Sequence, residues 1–129
     1  PRGPWRWYHE TALDCCKDVE DIMKDGIEWE EWLCLARCQG LAVDAVRVDE
    51  DGASLADFES QIATISSQPG GQLLIVSYSR KAVSQSGDGH YSPIGAYHRG
   101  RSLALVLDTA RFKHPPHWLP GEKLWGGME

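Results

Sequence analysis

Apolar and polar positions along the chain switch between a helical and an alternating period. Asp14 to Lys24 reads as a helix ended by Gly26, a residue suited to the left-handed position after a helix C-terminus. Trp29, Trp32, Leu33 and Ala36 recur at helical spacing, predicting a second helix over 28–39 that Gly40 stops. Leu41 to Val48 alternates as a strand would. Asp51-Gly52 signals a turn, and Ser54 is a good N-cap for a helix over 55–66. After Pro69-Gly70-Gly71 comes the apolar run Leu73-Leu74-Ile75-Val76, which predicts a buried strand over 72–79. Residues 80–89 are polar and contain glycine, so they read as a loop. Two strands follow, over 90–97 and 101–109, separated by His98-Arg99-Gly100. The tail, with Pro115, Pro116, Pro120 and Gly121, reads as irregular and then as a short helix; residues 1–9 read as irregular too. Helices first and strands last predict an α+β fold with an antiparallel sheet.

The last two strands bear on chemistry. A three-residue hairpin loop favours a left-handed third residue, and Gly100 fits that position. Tyr97 then pairs with Arg101, and counting back places His90 opposite Asp108. Directly opposed residues share a face, with Cβ atoms about 4.5–5.5 Å apart. A carboxylate at that distance can fix an imidazole tautomer and stabilise the imidazolium formed when the ring takes a proton. A two-residue loop of Arg99-Gly100 would put the pair on opposite faces. An ordinary cross-strand ion pair is the competing explanation. Gly87-Asp88-Gly89 before His90 would leave a substrate room to approach.

Composition narrows the classes. The 129 residues suit one domain or a large part of one, and 42% hydrophobic content supports a core. No stretch approaches the roughly 20 apolar residues of a membrane span. The net charge of −6 argues against nucleic acid. The start at Pro1, with neither Met nor a secretory signal, reads as the interior of a longer protein in a reducing, cytoplasmic setting. The four cysteines, Cys15, Cys16, Cys34 and Cys38, are then expected to be free thiols. Cys34 and Cys38 share a helical face, where two thiolates can chelate a soft cation. Cys15 and Cys16 can add ligands if the two helices meet. Buried core thiols are the plainer alternative. His9, His98, His114 and His117 are scattered over turns, and Trp5, Trp7, Trp29 and Trp32 read as core builders.

Several blocks are more specific. Gly3-Pro4-Trp5-Arg6-Trp7, Leu13-Asp14-Cys15-Cys16, Cys34-Leu35-Ala36-Arg37-Cys38, Gly89-His90-Tyr91-Ser92-Pro93-Ile94-Gly95, Leu105 through Lys113 and Pro115-Pro116-His117-Trp118 occur in this order. Together they strongly resemble phytochelatin synthase over nearly the whole chain. The resemblance implies a papain-like cysteine-peptidase fold, here incomplete. It also implies a Cys–His–Asp triad in which His90 is the catalytic histidine and Asp108 the catalytic aspartate. The family's nucleophilic cysteine, and a glutamine that helps form its oxyanion hole, sit in a segment before the Gly-Pro-Trp-Arg-Trp block and are not among these residues. None of the four cysteines has the small-residue turn that would expose a nucleophile. Position 114 is His where plant members usually have Tyr.

The implied reaction is acyl transfer of γ-glutamylcysteine from glutathione, with release of glycine, onto glutathione or a growing phytochelatin chain. Arg111, three residues after Asp108, can pair with a substrate carboxylate through its planar fork; a surface ion pair is the alternative. No organic cofactor is implied. The activating heavy metal (Cd²⁺, Zn²⁺ or Cu) enters as the metal–glutathione thiolate, and the four cysteines are the candidate protein ligands. Glutathione, phytochelatin peptides and heavy-metal ions are the expected partners, without nucleic acid or membrane, and a homodimer is one assembly the resemblance admits. Two other functions remain in view: hydrolysis of glutathione, and metal–thiolate binding without catalysis.

Overall fold

The computed structural model describes residues 13–128, so His9, Trp5, Trp7 and the irregular segment expected at residues 1–9 lie outside the described residues. The chain divides into two compact units, residues 1–45 and 46–129.

The described part of the first unit holds α1 (Val19–Asp25) and α2 (Trp29–Cys38). The helix expected from Asp14 starts later because the Asp18 side chain caps it, accepting from the Glu20 amide at 2.8 Å. Gly26 ends α1 at φ 82°, a left-handed conformation that costs glycine nothing. In α2 the Glu31 carboxylate reaches back to the Glu28 amide at 2.8 Å and accepts from Lys17 at 3.0 Å. Leu33 and Ala36 are its buried positions. The strand expected over 41–48 does not form. Residues 41–47 run without regular structure, with Leu41 and Val46 exposed. An alternating pattern cannot make a strand without a neighbour to bond.

The second unit contains α3 (Leu55–Ser67), β1 (Ile75–Ser79), β2 (Gly89–His98), β3 (Leu103–Val106), β4 (His117–Pro120) and α4 (Gly121–Gly126). Ser54 caps α3 as expected, its hydroxyl accepting from the Asp57 amide at 3.1 Å. The sheet is antiparallel with strand order β1-β2-β3-β4. Sequence reading missed β4, because a stretch flanked by prolines reads as irregular. Pro120 is tolerated there because β4 is an edge strand, whose outward amides need no partner. Phe58 and Ile62 of α3 pack with Val76, Tyr78, Ile94, Ala104, Val106 and Leu124 in one core. Ile62, Val106 and Leu124 are fully buried, worth about 1.5–3 kcal/mol each relative to exposure. No helix among the described residues is long and apolar enough to cross a membrane.

The β2–β3 hairpin departs from the expected register. His98 pairs with Leu103 and Tyr97 with Ala104, so the loop has four residues, 99–102. Ser102, not Gly100, takes the left-handed position, at φ 48°. This pairing alone would turn His90 and Asp108 to opposite faces. A bulge at Gly95, between the Ala96–Leu105 and Ile94–Val106 pairs, shifts the register by one residue. The Leu107 amide then bonds the Pro93 carbonyl at 2.9 Å. Asp108 falls across from Ser92, diagonal to His90 and on its face. Gly95 suits the bulge because Leu107 lies against it, 3.0 Å from where a Cβ would stand.

Candidate active site

His90 opens β2 and Asp108 follows β3, so both project from one end of the inner sheet face. Their contact is direct: His90 Nε2 lies 2.9 Å from Asp108 Oδ1. An ionised carboxylate only accepts, so Nε2 carries the proton and Nδ1 keeps the lone pair. Thr109 Oγ1 shares the Nε2 proton at 3.2 Å and donates to the Tyr91 carbonyl at 3.3 Å. Tyr78, the register partner of His90, meets the ring edge-on with centroids 6.0 Å apart.

Asp108 is fully buried, with Oδ1 also accepting from the Ala110 amide at 2.8 Å, which closes a turn after β3. Both of its oxygens are gripped by Arg80: Nη1 to Oδ2 and Nη2 to Oδ1, each at 2.9 Å. Arg80 directly follows β1, opens a 3-10 turn over Arg80–Val83 and is itself buried. Its Nη1 also donates to Gln85 Oε1 at 2.6 Å. Gln85 Nε2 lies 3.0 Å from His117 Nε2, and His117 Nδ1 is 2.8 Å from the Pro115 carbonyl.

Burial by itself would raise the Asp108 carboxyl. The Arg80 fork, the Ala110 amide and the His90 ring outweigh it and hold the group far below the usual carboxylate range. His90 is shifted downward, first by burial and then by the Arg80 charge, against the opposing pull of Asp108. The ring is therefore neutral at neutral pH, with Nδ1 able to accept a proton. A neutral imidazole oriented by a buried, ionised carboxylate is suited to general-base work on a thiol or amine, and to returning that proton to a leaving group.

The structure thus brings His90 and Asp108 together, by a different register from the one expected. Of the two small residues before His90, Gly89 faces open space, whereas Gly87 lies against the Arg80 side chain, 3.2 Å from where its Cβ would stand. Arg111 sits exposed in the turn after Asp108. Among the described residues it makes no ion pair. Arg80 and Gln85 were missed, since residues 80–89 read only as a polar loop and no periodicity marks an arginine that folds back under a sheet. His117 was noted but left among scattered histidines.

The expectation of free thiols is overturned. Cys15 bonds Cys38 and Cys16 bonds Cys34, and no free cysteine is left. The vicinal pair does not bridge itself, as expected, because each member reaches a different turn of α2. The sulfurs of Cys15, Cys16 and Cys38 lie within 4.8 Å of one another, a spacing one soft cation could span. Thiolates are the ligands such a cation takes, so this donor set fits a metal only when reduced.

A family model described as phytochelatin synthase matches residues 1–129, the whole chain. The chain belongs to the phytochelatin synthase family. It is 44% identical over 127 residues to glutathione gamma-glutamylcysteinyltransferase 3 of Lotus japonicus, covering 98% of this chain and 26% of that protein. It is 41% identical over 128 residues to glutathione gamma-glutamylcysteinyltransferase 1 of Arabidopsis thaliana, covering 99% and 26%. With glutathione gamma-glutamylcysteinyltransferase of Schizosaccharomyces pombe it shares 37% over 127 residues, covering 98% and 30%. The chain thus spans between a quarter and a third of the length of these family members.

Proposed function

We propose that the chain supplies the base and the orienting carboxylate of a cysteine-type acyl transferase acting on glutathione. It would form part of a papain-like catalytic domain. The observation that carries this reading is the 2.9 Å contact of His90 Nε2 with the buried Asp108 carboxylate, in a chain whose curated relatives are named for γ-glutamylcysteine transfer. All four cysteines are engaged in disulfides, so the nucleophilic thiol is assigned to a segment outside these 129 residues.

His90 Nδ1 takes the proton of that thiol. The thiolate attacks the carbonyl of the Cys–Gly bond of glutathione. Nδ1–H then protonates the departing glycine amine, leaving a γ-glutamylcysteinyl thioester. The α-amino group of a second glutathione, or of a growing chain, attacks the thioester carbonyl and gives a proton to Nδ1. The C–S bond breaks, releasing the new γ-Glu-Cys peptide, and the expelled enzyme thiolate takes the proton back from Nδ1. Asp108 stays ionised throughout and holds the ring. Arg111, exposed three residues beyond Asp108, is the side chain proposed to pair with a substrate carboxylate. The heavy metal enters as a glutathione thiolate complex and leaves bound to product, which gives the reaction its place in metal detoxification. Cys15, Cys16, Cys34 and Cys38, once reduced, are the proposed protein ligands for the same soft cations.

A chimera tests this. The 129 residues replace the matching segment of the Arabidopsis thaliana relative, and the chimera is incubated with glutathione and Cd²⁺. Oligomers of γ-Glu-Cys are expected, lost on His90→Ala. Glycine release without oligomers would show hydrolysis instead, and a well-folded chimera that does neither would refute the reading.

A further inference from the structure

Arg80 makes more of Asp108 than a partner for His90. Its fork binds both carboxylate oxygens, so the carboxylate plane cannot rotate to offer His90 the other oxygen. Oδ1 receives three donors in all: Arg80 Nη2, the Ala110 amide and His90 Nε2. Shared among so many, it is a weaker acceptor toward the imidazole than an unencumbered carboxylate would be.

The fork is itself held. His117 Nδ1 faces the Pro115 carbonyl, which only accepts, so Nδ1 carries the His117 proton and Nε2 is bare. The amide nitrogen of Gln85 must then donate to His117 Nε2, which turns Gln85 Oε1 toward Arg80 Nη1. The opposite amide orientation would set donor against donor at Arg80 and lone pair against lone pair at His117. The backbone supports this return. Gln85 N bonds the Arg80 carbonyl at 2.9 Å around a left-handed Ser84, φ 63°, and Gly87 lets the loop close over the Arg80 side chain.

We propose that Arg80 is a positioning residue for the His90–Asp108 pair, with Gln85 and His117 as the brace that fixes its fork. Its role is to make Asp108 orient His90 without raising the ring's proton affinity enough to charge it. This rests on His90 acting as a base, but its test does not require turnover.

Nuclear magnetic resonance of the ¹⁵N-labelled 129-residue protein reads the ring directly. The groups facing His90 are Asp108, Arg80, Thr109 and Tyr78, with the His114 ring in the loop after Asp108. In the wild-type protein the Nε2–H tautomer of His90 is expected, with a slowly exchanging, downfield Nε2 proton. Arg80→Lys keeps a charge but loses the fork. It should shift the His90 titration midpoint upward and broaden the Nε2 proton. Gln85→Leu leaves every atom touching His90 in place and should move the midpoint in the same direction by less. If Arg80→Lys unfolds the protein, Gln85→Leu and His117→Phe carry the test alone. A His90 midpoint and Nε2 proton unchanged in folded Gln85→Leu and His117→Phe would overturn the proposal. A purely structural ion pair would lower stability and leave both signals where they are. Loss of the transferase activity with these signals intact would refute the functional reading and not this one.

Discussion

At the scale of the residue, the site depends on a carboxylate that burial opposes and three donors rescue. The usual Asp value near 3.9 is the unfolded reference. In the folded chain Asp108 lies well below it, because the effects of the Arg80 fork, the Ala110 amide and His90 exceed that of burial. A depressed folded value means the unfolded chain takes up the proton first on acidification. Asp108 therefore contributes stability that is complete above about pH 5 and is lost as pH falls through about 4 and below. His90 is also depressed, by burial and then by Arg80, so its contribution is present above about pH 6.5 and begins to fall below it. Both groups thus weaken the fold in acid, His90 first. Urea unfolding from pH 7 to pH 3 should show stability falling in two stages. Asp108→Asn should remove the lower stage and, by leaving Arg80 buried without its partner, cost about 3–5 kcal/mol at pH 7. A variant as acid-sensitive below pH 4 as the wild-type protein would show that Asp108 is not the group responsible.

At the scale of the element, the hairpin shows what a sequence can and cannot specify. The two strands, their alternation and the identity of the pair were all legible, because period-2 patterning is local. The loop was not. Gly100 looked like the left-handed residue, yet Ser102 takes that role and lengthens the loop by one. What restores His90 and Asp108 to one face is the bulge at Gly95, a tertiary event set by the close approach of Leu107. The loop and the bulge together leave the pairing two residues from the expected one, an even shift that keeps both side chains on one face, so their contact was anticipated from the wrong pairing. The absent strand at 41–48 and the unforeseen β4 have the same origin: whether an alternating stretch becomes a strand is decided by an available neighbour, which lies elsewhere in the chain. Gly95→Val tests the bulge. Its side chain would press on Leu107 and cost about 1–3 kcal/mol. Loss of the downfield His90 Nε2 proton in protein that remains folded is the expected signature. A Gly95→Val variant with wild-type stability and an intact Nε2 proton would show that the bulge does not control the pairing.

At the scale of the whole molecule, the two units draw their stability from different sources. The unit beginning at Val46 has a continuous core that includes Phe58, Ile62, Tyr78, Val106 and Leu124, and it holds every residue of the His90 network. The described part of the first unit has little to bury. Leu33 and Ala36 are its buried hydrophobic residues, and the seven-residue α1 has none. A helix that short is not stable alone in water. The two disulfides fasten the segment before α1 to α2 across 23 and 18 residues. Closing a loop of about that length is worth roughly 3 kcal/mol by limiting the unfolded chain, and the inner bridge adds less because it lies within the outer loop. Sequence alone did not reveal this, since cysteine spacing does not distinguish thiols from bridges. Reduction of the purified protein with a phosphine should therefore loosen α1 and α2, read as faster amide exchange over residues 18–38. The His90 Nε2 proton and the amides of α3 and the sheet should stay protected. Adding Cd²⁺ to the reduced protein should restore protection in α2 if the freed thiolates of Cys15, Cys16 and Cys38 close on one ion. Exchange that accelerates equally over residues 55–106 would mean that the bridges support the whole fold and that the two units are not independent in stability.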